Sequence, residues 1–180
     1  MQAVNYGLIL AAAWRIADQP NGLLYKTLKS KYFSDSSIWR PKPNITKSAL
    51  WTSILKVIPL LQSNAFYQIT SGNISIWSTP WCTAWTRVYD DLIIQNPGFV
   101  YPSQVKDLWL PNLKAWNHTL IDSIFLQPTA QSIKSTPILN CDEGDILCWK
   151  LTPMASVLPN PHIEFAFNFC SLQVCQNQVR

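Results

Sequence analysis

A chain of 180 residues, 48% of them hydrophobic, has the length for one domain or a domain plus a tail, and enough apolar content to bury a sizeable core. Charged residues make up only 13%, against a usual share of roughly 25%, and thirteen prolines outnumber five glycines, which describes a foldable but poorly soluble chain suited to packing against something larger. The five cysteines (Cys82, Cys141, Cys148, Cys170, Cys175) contain no Cys-x-x-Cys, which excludes a zinc knuckle, a thioredoxin-type motif and a dense disulfide framework and leaves free thiols in a reducing compartment as the expectation.

The segment Tyr6 to Trp14 is apolar, but it has no basic n-region, and Arg15 and Asp18 follow without a cleavage site. No stretch reaches the roughly 18 uninterrupted apolar residues of a membrane helix. The expected location is therefore intracellular, cytoplasmic or nuclear, with no membrane partner. The sequons at Asn44, Asn73 and Asn117 carry no meaning without a secretory route.

Leu8, Ile9, Ala12, Ala13, Ile16 and Ala17 recur at helical spacing and predict a first helix, ended by Asp18-Gln19-Pro20-Asn21-Gly22. A second helix is predicted over 23–32, with Leu24, Leu28 and Tyr32 on one face and Lys26 and Lys29 off it. Residues 34–47, rich in Ser, Pro and Asn, read as an irregular basic loop. Ser48 is the N-cap expected for a helix over 49–62, which Pro59 kinks or ends early.

Residues 66–69 and 74–77 read as two strands of a hairpin around Ser71-Gly72-Asn73. Alternation would put Ile74 and Ile76 on one face and Ser75 and Trp77 on the other. Val105 to Leu108 reads as a short extended segment. Asn117 caps a predicted helix over 118–125, and Pro128-Thr129 opens another that ends before Pro137. Residues 145–152 read as an isolated strand. The fold class expected is α+β: small, mainly helical, with a hairpin near 66–77.

The net charge of +4 is unevenly spread. Seven basic residues lie between Lys26 and Lys56 against Asp35 alone, whereas seven acids between Asp90 and Asp145 face three lysines. The basic stretch is interleaved with Tyr25, Tyr32, Phe33, Trp39 and Trp51, a composition that suits phosphate contact with base stacking or, equally, core aromatics beneath solvated lysines. The residues expected to meet nucleic acid are Lys26, Lys29, Lys31, Arg40, Lys42 and Lys47.

No other constellation carries chemistry. Tyr89-Asp90-Asp91 is similar to the paired aspartates of a polymerase palm, but Val88 stands where that motif needs its aromatic, and no third carboxylate can be assigned. An acidic turn is the alternative. No nucleophile elbow, phosphate loop or dinucleotide fingerprint occurs. His162 with Cys170 and Cys175 is too irregular for a metal site, and His118 reads as a surface residue. No catalytic residue, metal or cofactor is expected.

The nine tryptophans include a Trp-x-x-Pro-Trp cluster within Gly72 to Trp81. In order along the chain, Asn5-x-x-Leu8-Ile9 with Trp14-Arg15-Ile16, Leu28 to Phe33, Trp51-x-x-Ile54, Gly72 to Trp81, Val105-x-Asp107-Leu108, Trp116-Asn117-x-x-Leu120-Ile121 and Asp145-x-Leu147-x-Trp149 form a series. This series resembles the region that follows the polymerase core in plant LINE-type (non-LTR) retrotransposon reverse transcriptases, ahead of zinc-binding-like and ribonuclease H segments. The resemblance covers about residues 5–152. It departs at Thr79, where the family has aspartate, at Ala11 to Ala13, where a lysine is missing, and after Thr152.

The resemblance implies a connector-like domain over 1–152 and a divergent, disordered tail over 153–180. It implies a non-catalytic fragment that meets RNA or RNA–DNA hybrid, because neither polymerase nor ribonuclease H carboxylates carry over. The alternative is a protein-interaction or structural remnant, self-associating through exposed apolar surface, or a non-functional gene product.

Overall fold

A computed structural model describes residues 2–34, 36–41, 48–93, 97–141 and 143–150. The fold is α+β, small and mainly helical. Five helices, α1 (Gln2–Asp18), α2 (Leu23–Tyr32), α3 (Ala49–Asn64), α4 (His118–Ile124) and α5 (Gln127–Lys134), accompany two strands, β1 (Ala65–Gln68) and β2 (Ile146–Trp149), among the described residues. The strands pair as a two-stranded antiparallel sheet. The described residues divide into two compact units, one drawn from 2–65 with 147–150 and one from 66–146.

In the first unit α1 packs against α3 and α2. Helical spacing buries Leu10, Ala13, Ile16 and Ala17 of α1 and Trp51, Ile54, Val57, Ile58 and Leu61 of α3. Ser48 caps α3 as expected, its hydroxyl accepting the Trp51 N–H at 3.2 Å. The expected kink or early end at Pro59 does not occur, and α3 runs on to Asn64. Pro59 lies on the exposed face, so the carbonyl its ring deprives of an N–H is on the solvent side, while the opposite face is fixed by burial. Trp14 of α1 meets Trp149 of β2 edge-on, with ring centroids 5.9 Å apart.

The hairpin expected over 66–77 is replaced by other pairings. Tyr67 N–H donates to the Pro80 carbonyl at 2.7 Å, Ile69 forms a parallel bridge with Ile138, and Ser75 bridges to Gln104. Residues 76–78 are a turn, closed by the Thr79 hydroxyl on the Ser75 carbonyl. The strand expected near 145–152 forms over Ile146–Trp149, but as the partner of β1 and not in isolation.

Val105 to Leu108 is also not extended. It is a 3-10 turn in which the Asp107 carboxylate accepts the Gln104 N–H at 2.8 Å while the Asp107 N–H returns to the Gln104 carbonyl at 3.0 Å. Asn117 caps α4 through its side chain, and proline stands at the start of α5 as its fixed φ favours. The core of the second unit includes Ile69, Ile76, Trp81, Trp85, Val88, Val105, Leu108, Trp116, Ile121, Ile124, Phe125, Ala130 and Ile133.

Candidate nucleic-acid interface

α2 reads Leu-Leu-Tyr-Lys-Thr-Leu-Lys-Ser-Lys-Tyr and carries no acidic side chain. Leu28 and Tyr32 face inward, and the 100° step per residue then turns Lys26 outward and puts Lys29 and Lys31 on opposite flanks of the helix. All three lysines are exposed. The helix has no carboxylate of its own to offset them, so its exposed arc is positive.

Part of this basic character belongs to the fold. Lys29 and Lys31 occupy the last turn, where a cation favours the helix dipole. Lys29 Nζ lies 5.4 Å from the Tyr25 ring centre and Lys31 Nζ 5.3 Å from that of Tyr32. Hydrogen bonding by the Ser48 side chain first, then its backbone N–H at 3.3 Å and the nearby Lys31 charge, holds the Tyr32 phenol below its ordinary pKa against the opposing effect of burial.

Arg40 is half-buried at the end of a tight turn, its N–H donating to the Ser37 carbonyl at 3.0 Å. Lys42 and Lys47 lie outside the described residues. Of the six basic residues singled out in the sequence, the structure thus brings Lys26, Lys29 and Lys31 onto one element.

The aromatic residues interleaved with these lysines mostly form the core. Tyr32, Phe33, Trp39 and Trp51 are buried. Tyr32 stacks on Trp51 with centroids 4.8 Å apart and planes 6° from parallel, and Phe33 stacks on Trp51 at 5.6 Å. Only Tyr25, half-buried, remains near the surface among the five. The ring faces of Tyr32, Phe33 and Trp51 are thus taken up in packing and are not open to stack on bases.

In the second unit two marked motifs meet at one carboxylate. Asp145 Oδ1 accepts N–H bonds from Thr70, Ser71 and Gly72 at 2.8, 3.1 and 2.9 Å. Its Oδ2 accepts the Asn73 N–H at 2.8 Å and the Ser71 hydroxyl at 2.9 Å. The Thr70 hydroxyl closes the same loop by donating to the Glu143 carbonyl at 2.7 Å. Gly72 sits at φ 64°, and a Cβ there would lie 2.8 Å from both Lys106 N and Trp109 Cζ2. Glycine is therefore required twice over, by backbone conformation and by space. The sequence marks this role only as an aspartate preceding a strand and a Ser-Gly-Asn turn about seventy residues before it.

The tryptophans of Gly72 to Trp81 are structural in the same sense. Trp81 is buried, donates its indole N–H to the Ile76 carbonyl at 2.9 Å, and lies 5.9 Å from the Trp116 ring. Trp77 donates to the Pro102 carbonyl at 2.9 Å. The paired aspartates form a turn. Asp91 accepts the hydroxyl proton of the buried Thr129 at 2.5 Å, while Arg87 stands 3.9 Å from it. Asp91 thus anchors the start of α5, a fold role that the spacing to Val88 does not reveal.

Among the described residues no disulfide joins Cys82, Cys141 and Cys148, and no group of three or more His, Cys, Asp or Glu side chains could hold a metal ion. His162, Cys170 and Cys175 lie outside the described residues. His118 is exposed at the start of α4. No described helix is long and apolar enough to cross a membrane. No family model, curated protein or solved structure matches the chain.

Proposed function

We propose that this chain is a non-catalytic connector like that of a plant LINE-type retrotransposon reverse transcriptase, and that it holds RNA or RNA–DNA hybrid through the exposed lysines of α2. The observation that carries this reading is the exposure of Lys26, Lys29 and Lys31 on a helix with no acidic side chain. The resemblance gains support from how its motif positions are used. Trp51, Ile54, Gly72, Trp81, Leu108, Trp116, Asn117 and Asp145 are all core, capping or clip positions.

The test is fluorescence anisotropy with a labelled RNA–DNA hybrid at low salt, comparing the parent chain with the triple variant Lys26→Glu, Lys29→Glu, Lys31→Glu. Binding is expected to fall at least tenfold, on the order of what losing three phosphate contacts implies, and the salt dependence to flatten. Unchanged affinity, or none measurable in the parent chain, removes the reading.

A second reading rests on exposed apolar side chains of the first unit. Leu23 is 83% exposed and Leu8 67%, with Leu50 also outward. Self-association through such side chains is the competing role. Light scattering after size exclusion separates the two, because a monomer at tens of micromolar argues against association.

A further inference from the structure

The sequence holds a single Asn-Gly pair, Asn21-Gly22, and the fold places it in the turn that joins α1 to α2. The turn follows from its residues. α1 ends at Asp18, Pro20 stands at the second position of a β-turn as its fixed φ favours, and the Gly22 N–H closes that turn on the Gln19 carbonyl at 2.9 Å. Gly22 is then the N-cap of α2, its carbonyl accepting the Lys26 N–H at 3.0 Å. Asn21 is exposed and Gly22 half-buried.

An asparagine carboxamide is open to attack by the backbone nitrogen of the next residue when that nitrogen can reach Cγ. A side chain on the next residue obstructs the approach, whereas glycine has none and leaves the backbone free to turn. Other asparagines of the fold are placed differently. Asn64 precedes Ala65 and its Nδ2 donates to the Leu60 carbonyl at 2.9 Å. Asn73 precedes Ile74 and its Oδ1 accepts from Lys106 Nζ at 2.8 Å. Asn117 precedes His118 and its Oδ1 accepts the Leu120 N–H at 3.1 Å. Each of these carboxamides is held, and each is followed by a residue with a Cβ. At Asn21 the brake on the nitrogen is the bond from the Gly22 N–H to Gln19, and a surface turn opens locally at low free energy.

We propose that Asn21 is a site of spontaneous deamidation in the folded chain, with water as the co-reactant, and that the product resets the charge at the start of α2. The Gly22 nitrogen bonds to Asn21 Cγ, the Cγ–Nδ2 bond breaks, and ammonia leaves with the amide proton, closing a succinimide ring. Water then opens the ring. Cleavage of the Cγ–N bond leaves aspartate, and cleavage of the other ring C–N bond leaves an isoaspartyl link whose backbone runs through Cβ and Cγ. No atom changes oxidation state. Either product lowers the net charge of +4 by one. α2 has no acid in its first turn and no side-chain cap, so the new carboxylate meets the uncompensated positive end of the helix dipole. The isoaspartyl form also adds a methylene to the backbone, which moves the Gly22 N–H away from the Gln19 carbonyl. The proposal concerns the turn itself and stands whether or not the α2 lysines meet nucleic acid.

The test incubates the full chain for weeks at body temperature and mildly alkaline pH, then digests it with trypsin. Cleavage after Arg15 and Lys26 releases residues 16–26, whose lone asparagine is Asn21. Mass spectrometry is expected to show this peptide converting from amide to acid faster than any other asparagine-containing peptide. Isoaspartyl methyltransferase with labelled S-adenosylmethionine is expected to find methyl-accepting sites in the aged chain and few in the fresh one. Asn21→Gln lengthens the side chain so that the succinimide cannot close, and Gly22→Ala sets a Cβ beside the attacking nitrogen, 3.2 Å from the Gln19 carbonyl oxygen. Each is expected to slow conversion by about an order of magnitude, with circular dichroism reporting that the variants fold. An intact amide at position 21 after incubation, conversion that occurs in urea but not in the folded chain, or conversion in Gly22→Ala at the parent rate would each overturn the proposal.

Discussion

Replacing Asp145 tests whether one carboxylate holds the Thr70–Asn73 loop. Asp145→Ala removes the acceptor of four backbone N–H groups and one hydroxyl. Asn73 is exposed, so its N–H can turn to water, and Ser71 is half-buried. Thr70 and Gly72 are buried, and their N–H groups are left without an acceptor. A stranded buried donor costs about 1–3 kcal/mol, so two of them, with the lost charge-assisted bonds partly offset by water, give a loss of roughly 3–5 kcal/mol. Against a total stability of about 5–15 kcal/mol that loss is large.

Asp145→Asn refines the test. The amide oxygen can take over the three bonds of Oδ1, but its NH2 would face the Asn73 N–H, donor against donor. The expected loss is about half that of the alanine variant, on the order of 2 kcal/mol. Urea unfolding followed by tryptophan fluorescence measures both, read from midpoints at constant slope. Amide exchange locates the effect, with protection lost at Thr70 and Gly72 first. If alanine costs less than about 1 kcal/mol, or leaves those amides protected, the loop is held by packing and the clip argument is refuted.

Cys82 gives a pH dependence. Burial pushes its thiol from the usual 9.0 up to about 11. Above pH 9 the unfolded chain releases a proton that the folded chain retains, so the contribution to stability is complete below pH 9 and falls as pH rises toward 11. Two pH units at about 1.4 kcal/mol each set a ceiling of roughly 3 kcal/mol, and Cys82→Ala is expected to flatten that part of a stability-versus-pH curve. Pro59→Ala restores an N–H to α3 on its exposed face, so a gain of about 1 kcal/mol in urea unfolding is expected, from a penalty of up to about 3 kcal/mol less the chain entropy regained by the unfolded state. An alanine variant less stable than the parent would show that the proline ring packs usefully.

What could be read in the sequence was local. α2 follows from Leu28 and Tyr32 four apart with breakers before it, and α3 and α4 from Ser48 and Asn117 as caps. The failures share one cause, a distant partner competing with a local pattern. Residues 66–69 and 74–77 have alternation enough for a hairpin, yet β1 finds its partner in Ile146–Trp149. Val105 and Leu108 are both buried and three apart, the spacing of a 3-10 turn, and four residues are too few to separate that period from a strand's. The Asp145 clip and the Asp91–Thr129 bond join residues tens of positions apart, so no window could contain both partners.

Local causes also separate the three lysines of α2 from one another. Lys29 and Lys31 stand in the last turn of α2 and near tyrosine rings, so fold stability alone gives them a reason to be basic. Lys26 has no such reason. It is the fourth residue of the helix, at the end where the dipole disfavours a cation and an acid would be preferred. Glutamate at position 26 is therefore neutral or favourable for the helix while removing charge from the exposed side. A binding loss in Lys26→Glu alone, without loss of stability, cannot come from damage to α2 and would assign the positive charge to a partner. The same loss at Lys29 or Lys31 would leave both causes in play.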